Sequence, residues 1–509
     1  MSKLKEVLYN YFGHHTFREG QQAIIEDVLN KKSVLGVLPT GSGKSICYQI
    51  PSIMLEGSVI VISPLLSLME DQVKQLKTKG FKDVVAINSF IRRNEKKKII
   101  NNLSRYKLIY ASPEMVQNKQ LLERLKQMRL SLFVVDEAHC ISQWGHEFRP
   151  DYLKLVDVIA QLGNPSVLAL SATATPDVQK DILKYLNTPD MKKHIYPMDR
   201  ENLTFTVQAC DHKQEKLSYM KVLLKKFDVP TMIYFSSKKE AEVVADQLSR
   251  DLPDLRIAFY HGGMDGMDRT LIQQQFMQDQ LDVICCTSAF GMGIDKSNVR
   301  LIIHYHLPTQ MESFIQEVGR AGRDGESSVS VVLYAPFDEM LPQRLIESEL
   351  PNMDQVESLL FMLEKKYQSN IKTIDKHEMM MYLQLSEIQW RFIVYHLENH
   401  DILKESQILP IYNQKEMFLS KVETVINERY TYKFKKLNEM VAWVTATTCR
   451  RKSLFRPFQT STKKPKYACC DYCGFDFTHW EPLYETKKAA TIKDWKTDLA
   501  MLFLQSNSN

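Results

Sequence analysis

The sequence predicts an α/β fold: two tandem parallel-sheet domains, then a mainly helical region carrying a winged-helix-like module and a metal-binding module. Three observations predict it. The first 340 or so residues alternate short apolar runs with longer helix-like stretches. Continuous apolar runs separated by helices read as parallel strands covered on both faces. Beyond about Met340 the period turns helical, and four cysteines crowd together near the C-terminus.

In the first half, Val34–Leu38, Val59–Ile62, Leu132–Val135 and Val167–Leu170 read as buried strands, each followed by a polar turn. Thr231–Phe235, Arg256–Tyr260, Val283–Cys286, Leu301–His304 and Val329–Tyr334 repeat the theme. A seam near Met198–Thr204 separates the sets, giving domains over 1–200 and 201–340. Ligands of such sheets bind beyond the carboxyl ends of strands. Val356, Leu359, Leu360, Leu363 and Tyr367 then recur at helical spacing. Ser386 with Gln389 predicts a capping box opening a helix that runs to about Asn399. Ile402–Leu403 and Ile408–Tyr412 predict a two-stranded wing, which completes a winged-helix-like module over 341–412. Lys415 to Trp443 predicts two helices, a helical hairpin leading into a metal module that ends near 480. Residues 481–509 are expected to form a tail, frayed at Ser506–Asn509.

Bulk numbers bound the function classes. A chain of 509 residues suits three or four domains of about 150, and 44% apolar with 25% charged residues is ordinary for a globular protein. Met1–Tyr11 has no apolar run of signal-peptide length, and no stretch of about 18 apolar residues suits a membrane span. The expected location is cytoplasmic. Cys47, Cys140, Cys210, Cys285 and Cys286 are scattered, as buried reduced thiols are. The net charge is only +5, yet Arg429 to Lys466 holds eleven basic residues against a single acid, Glu439. Such a segment is expected to meet a polyanion.

Pro39-Thr40-Gly41-Ser42-Gly43-Lys44-Ser45 follows a strand and precedes an apolar helix-like stretch, the context that a phosphate loop requires. Backbone N–H groups of Thr40, Gly41, Ser42 and Gly43 can approach phosphates, Lys44 can reach the β- and γ-phosphates, and Ser45 offers a hydroxyl to Mg²⁺. Leu38 stands where the motif's first glycine belongs. Asp136-Glu137-Ala138-His139 closes another strand. There Asp136 can hold the Mg²⁺ shell, and Glu137 can orient and deprotonate a water. ATP is the nucleotide these motifs suit.

With those motifs in hand, the chain resembles a superfamily-2 helicase, and specifically the RecQ family. The resemblance implies RecA-like domains over about residues 8–336. Phe17-Arg18-Glu19-Gly20-Gln21 is similar to the family's leading motif, which implies that Arg18 and Gln21 bind the adenine nucleotide. Ser63 to Gln72 and Ser171-Ala172-Thr173 resemble the next motifs, the latter coupling hydrolysis to DNA. Gln316 to Gly325 matches the family closely. Arg320 and Arg323, three apart, can face a cleft together and act across the domains as arginine fingers. Thr287 to Asp295 resembles the motif touching both DNA and ATP.

Ser142 to Pro150 is a poor helix or strand and reads as a loop bearing aromatics. Trp144, His146, Phe148 and Arg149 form a candidate stacking platform for single-stranded bases, worth about 1–3 kcal/mol per base. It resembles the aromatic-rich loop by which RecQ enzymes sense DNA. Cys449, Cys469, Cys470 and Cys473 supply four thiols suited to tetrahedral Zn²⁺. Tyr467 stands where the family's C-x-x-C-x-x-C spacing wants a cysteine, and the adjacent Cys469 and Cys470 imply strain, so His479 stays open as an alternative ligand to Cys469. About 125 residues separate Arg323 from Cys449, where the family usually places its cysteines soon after the arginines. The winged-helix-like module is therefore expected before the zinc module, in what resembles a short bacterial form.

The expected activity is ATP-dependent DNA unwinding coupled to movement along single-stranded and forked DNA. The family implies 3′ to 5′ direction, work in recombination and repair, and partners such as single-stranded DNA-binding protein. Two other readings compete: an RNA helicase or non-separating translocase, and a non-catalytic DNA-binding regulator. The aromatic loop and zinc module oppose the first, and intact Lys44, Asp136, Glu137, Arg320 and Arg323 oppose the second.

Overall fold

The computed structural model of the chain describes residues 3–64, 66–88, 91–142, 149–290, 296–404, 406–410 and 414–483. The first sheet contains β1 (Val34–Val37), β2 (Ser58–Ile62), β3 (Val84–Ile87), β4 (Leu108–Ala111), β5 (Leu130–Val135), β6 (Val167–Ser171) and β7 (Lys192–Ile195). Their spatial order is β3-β4-β2-β5-β6-β1-β7, all parallel. The central strands are continuous apolar runs because helices cover both faces, and every residue of β1, β2, β4 and β6 is buried.

The second sheet contains β8 (Leu203–Ala209), β9 (Thr231–Tyr234), β10 (Ile257–Tyr260), β11 (Val283–Cys286), β12 (Leu301–His304) and β13 (Ser328–Tyr334), in the order β10-β11-β9-β12-β13-β8 and again parallel. Strands β3, β4, β7 and β8 were not singled out from sequence. For β7 the reason is physical: it lies at an edge, and its Lys-Lys-His-Ile sequence is largely exposed.

The helical region is built as expected in part. Helices Met353–Gln368, Lys376–Tyr382 and Glu387–Asn399 precede a hairpin of β14 (Leu403–Lys404) and β15 (Gln407–Ile408). Ser386 and Gln389 form the capping box. The hairpin is smaller than the predicted wing, whose end at Tyr412 lies outside the described residues. Thr373 pairs with Gln407 and supplies a third short strand contact. The unit docks on the first domain through Lys154–Glu398 at 2.6 Å and Arg391–Asp151 at 3.9 Å.

One expectation is corrected. Lys415–Thr445 is a single helix of 31 residues, not a hairpin of two. Between Lys415 and Val444 no proline or glycine interrupts the segment. Phe418, Val422 and Ile426 bury one end against the winged-helix-like core, while Leu437, Met440 and Trp443 bury the other against the second domain. The two halves therefore serve two cores with no reason to fold back.

The basic segment also departs from expectation. Among the described residues, six of its eleven cations face carboxylates. Arg429 and Lys433 meet Glu349, Lys436 meets Glu312, Arg450 meets Asp471, Arg451 meets Asp199, and Lys463 meets Glu19. Much of the local charge excess holds modules together and is not free to meet a polyanion.

Candidate active site and metal centre

The phosphate-loop residues leave β1 at its carboxyl end, where the Leu38 N–H donates to the Ser171 carbonyl at 3.1 Å. Gly41 and Gly43 take positive φ (82° and 73°), which L side chains rarely adopt. Leu38, in place of a first glycine, is buried in the core beneath Gly20, so its side chain packs outside the anion cradle. The Gln21 amide donates to the carbonyls of Ser42 (2.7 Å) and Gly43 (3.1 Å) and accepts from the Arg18 N–H (2.9 Å). The Arg18 guanidinium donates to the Gly41 carbonyl. The leading motif thus braces the loop directly. Beside it opens a recess lined by Phe12, His14, Thr16, Arg18, Gln21 and Lys79.

Asp136 and Glu137 follow β5. Asp136 is buried, its N–H donating to the Ile62 carbonyl and its carbonyl accepting from the Tyr152 hydroxyl at 3.0 Å. Burial, reinforced by the neighbouring Glu137 charge and opposed by Lys44, pushes the Asp136 carboxyl up to about 7. Glu137 holds φ 48°, a strained left-handed conformation for a non-glycine residue. That conformation turns its carboxylate toward Lys44, 4.0 Å away. His139, wholly buried, sets its Nδ1 at hydrogen-bond distance from the Ser171 hydroxyl (3.1 Å) and 3.4 Å from a Glu137 carboxylate oxygen. Ser171 in turn accepts from the Thr173 N–H at 3.2 Å. Two sequence motifs thereby meet at one imidazole nitrogen.

The second domain closes the cleft. Arg320 and Arg323 lie in the turn after helix Met311–Val318 and line one cavity together with Gly41, Lys44, Ser45 and the acid pair. The Arg323 side chain lies within 3.3 Å of where a Cβ on Gly41 would stand. The Thr40 and Ser42 hydroxyls are buried without hydrogen-bond partners, as suits a cradle for phosphate oxygens.

Trp144, His146 and Phe148 lie outside the described residues, but the ends of their loop are fixed. The Arg149 N–H donates to the Cys140 carbonyl (3.0 Å), and the Cys140 N–H donates to the Glu137 carbonyl (2.9 Å). The Ser142 hydroxyl donates to Asp181 (2.5 Å), and the Arg149 guanidinium donates to the Pro64 carbonyl (3.0 Å). Two backbone hydrogen bonds therefore separate the loop from Glu137.

At the C-terminal end, the Cys449, Cys469, Cys470 and Cys473 sulfurs lie within 4.8 Å of one another. The Cys449–Cys469 separation is 3.6 Å. A tetrahedron with Zn–S near 2.3 Å has edges of about 3.8 Å, so the donor set fits zinc. Burial, with hydrogen bonds to Cys470 and Cys449, pushes the Cys473 thiol up to about 11. To be held as thiolates this close together, the four would require a cation. His479 stands outside the cluster, its Nδ1 beside the Thr478 hydroxyl.

Residues 18–182 match the DEAD/DEAH box helicase family, 213–325 the helicase conserved C-terminal domain, and 411–474 the RecQ zinc-binding family. The chain is 39% identical over 505 residues to the probable ATP-dependent DNA helicase RecS of Bacillus subtilis, covering 99% of this chain and 98% of that one. The chain belongs to the RecQ helicase family. It is also 41% identical to the ATP-dependent DNA helicase RecQ of Bacillus subtilis, over 68% of this chain and 58% of that one. The fold is shared with the DUF1998 helicase MrfA bound to DNA (TM-score 0.57, 17% identity, 68% and 53% of the two chains). It is shared too with the DEAD-box helicase Mss116 bound to single-stranded RNA (TM-score 0.57, 18% identity, 84% and 95%).

In this RecQ-family chain, sequence reasoning missed the residues that join the parts. Arg200 and Asn202, in the connector between the sheets, donate to carbonyls of the arginine-bearing turn. Gln273 donates to Asp71 across the domains at 2.7 Å. Asp71 lies in the Ser63–Gln72 motif, but Arg200, Asn202 and Gln273 carry none; the signal for the first two was a short charged linker, Asp199-Arg200-Glu201-Asn202.

Proposed function

We infer that the cleft binds ATP, and that hydrolysis there drives 3′ to 5′ movement along single-stranded DNA and separation of duplex, in recombination and repair. The observation that carries this reading is one cavity lined by Lys44, Asp136 and Glu137 of the first domain and by Arg320 and Arg323 of the second. Arg18 and Gln21 border the recess for the adenine. Backbone N–H groups of Thr40 to Gly43 and the Lys44 ammonium receive the phosphates. Ser45 and Asp136 would hold Mg²⁺, which supplies charge neutralisation on the phosphates when bound. Glu137 orients and deprotonates the water, steadied by His139. Arg320 and Arg323 stabilise charge on the γ-phosphate, an interaction lost when that group leaves. Zinc at Cys449, Cys469, Cys470 and Cys473 has a structural role.

DNA on Trp144, His146, Phe148 and Arg149 is transmitted to Glu137 through Cys140. Residues 341–412 would meet the fork, a reading supported by the pairing of Glu398 with Lys154 and of Arg391 with Asp151 in the first domain. Single-stranded DNA-binding protein is the partner class such a substrate brings. The test is ATP hydrolysis with and without single-stranded DNA, and strand displacement on DNA and RNA forks of each polarity. Wild type is expected to show DNA-stimulated hydrolysis and unwinding of DNA forks with a 3′ loading strand. Lys44→Ala should lose at least about 100-fold in kcat, the scale of a transition-state charge contact. Equal rates in both proteins would overturn the enzymatic reading.

A further inference from the structure

The turn that carries Arg320 and Arg323 begins where helix Met311–Val318 ends. The last carbonyls of that helix accept from the N–H groups of the turn, Gly319 to Ile315, Arg320 to Glu317 and Ala321 to Val318. The carbonyls of the turn itself need other donors, and one cation collects three of them. The Arg200 guanidinium donates to the carbonyls of Gly319 (3.1 Å), Ala321 (2.8 Å) and Gly322. Asn202 adds a bond to the Gly322 carbonyl at 2.8 Å, and Arg300 clamps Asp324 with bonds of 3.0 and 2.7 Å.

Arg200 is itself held from a distant part of the chain. Arg451 is two residues past Cys449 and is 1% exposed. Its guanidinium pairs with the buried Asp199 and donates to the carbonyls of Arg200 (3.0 Å) and Leu203. Lys463 N–H donates to the other Asp199 oxygen at 2.8 Å, and Gln459 accepts from the Met198 N–H at 2.9 Å. The connector between the two sheets is thus gripped by the segment between the first cysteine and the other three. A hydrogen-bonded cation in place of an ordinary loop contact matters because arginine's planar fork fixes three acceptors at once.

We propose that Arg200 is a positioning residue for Arg320 and Arg323, and that Arg451 of the cysteine module holds Arg200 in register. The relay ties the metal module to the cleft: Cys449, Arg451, the Arg200 peptide, the Gly319–Gly322 carbonyls, then the two arginines facing Lys44. This rests on the arginine-finger reading given above.

The experiment compares Arg200→Ala, Arg200→Lys, Arg451→Met, the Arg200→Ala/Arg451→Met double variant and Arg323→Ala, all as full chains with zinc content measured. Steady-state kcat and KM for ATP are taken with saturating single-stranded DNA. Because misfolding lowers kcat without altering selectivity, the deciding readout is the ratio of affinities for ADP–aluminium fluoride and for ADP, which is independent of the active fraction. Arg200→Ala and Arg323→Ala are both expected to lower this ratio tenfold or more. Arg200→Lys should recover part of it, Arg451→Met alone should lower it severalfold, an unchanged ratio there overturning the Arg451 link, and the double variant should lose no more than Arg200→Ala alone. An unchanged ratio in Arg200→Ala beside a collapsed ratio in Arg323→Ala overturns the positioning role. Additive losses in the double variant overturn the Arg451 link. An unchanged ratio in Arg323→Ala overturns the finger reading itself and this proposal with it.

Discussion

Gly319 shows how a single missing methyl group sets the distance between domains. A Cβ there would stand 2.6 Å from the Thr40 Cβ, in the phosphate loop across the cleft. Its backbone φ is an ordinary −60°, so the constraint is contact and not conformation. Gly319→Ala must push the arginine-bearing turn off the loop, and a displacement near 1 Å at such a site costs about 100-fold. We expect kcat/KM for ATP to fall by about that factor. Gly262→Ala, where a Cβ meets only the Ala289 Cβ at an ordinary 3.8 Å, should stay within twofold. Equal kinetics in the two variants would mean that the domains do not close at Thr40.

At the scale of elements, the winged-helix-like unit contains a pH-sensitive group. Burial, with His400 and Lys421 nearby, holds the His396 imidazole down at about 4, against 6.5 when unfolded. The unfolded chain therefore binds the extra proton between those values, and stability rises with pH across that window. The contribution is complete above about 6.5 and is lost as pH falls toward 4, with a slope of at most about 1.4 kcal/mol per pH unit. His396→Leu should flatten the pH dependence of Tm between 6.5 and 4 without changing DNA-stimulated hydrolysis at pH 8. A slope identical to wild type would show that His396 does not titrate in that range. The long helix is a second lesson at this scale. Its periodicity was legible, but its continuity was not, because two separate cores bury its two ends.

For the whole molecule, the cysteine module works as a seam. Cys470 bridges Phe205 of β8, the Thr204 hydroxyl donates to the Ala468 carbonyl at 2.9 Å, and the Asp471 carboxylate receives the Val207 N–H at 3.1 Å. Trp480 packs on Phe227 and donates to Ser327 at 3.1 Å. We expect stoichiometric zinc in the wild type and in His479→Ala. Cys470→Ser should release it and lower Tm by roughly 5 °C or more, the shift that a loss of about 2 kcal/mol produces in a domain of this size. Full zinc in Cys469→Ser with its loss in His479→Ala would assign the fourth position to the histidine.

The sequence by itself determined the local chemistry. Phosphate loop, acid pair, arginine motif and cysteine set were legible because each needs particular residue types at fixed spacing on one strand end or turn. The parallel sheets were legible too, because strands buried on both faces must be continuously apolar. Only the tertiary structure decided which distant segments meet. Arg451 could be read as part of a basic run, yet it lies buried against Asp199. Lys436 could be read the same way, yet it pairs with Glu312. A charge announces itself in sequence, but its partner is fixed by the packing of surfaces more than a hundred residues apart, and no local spacing encodes that meeting.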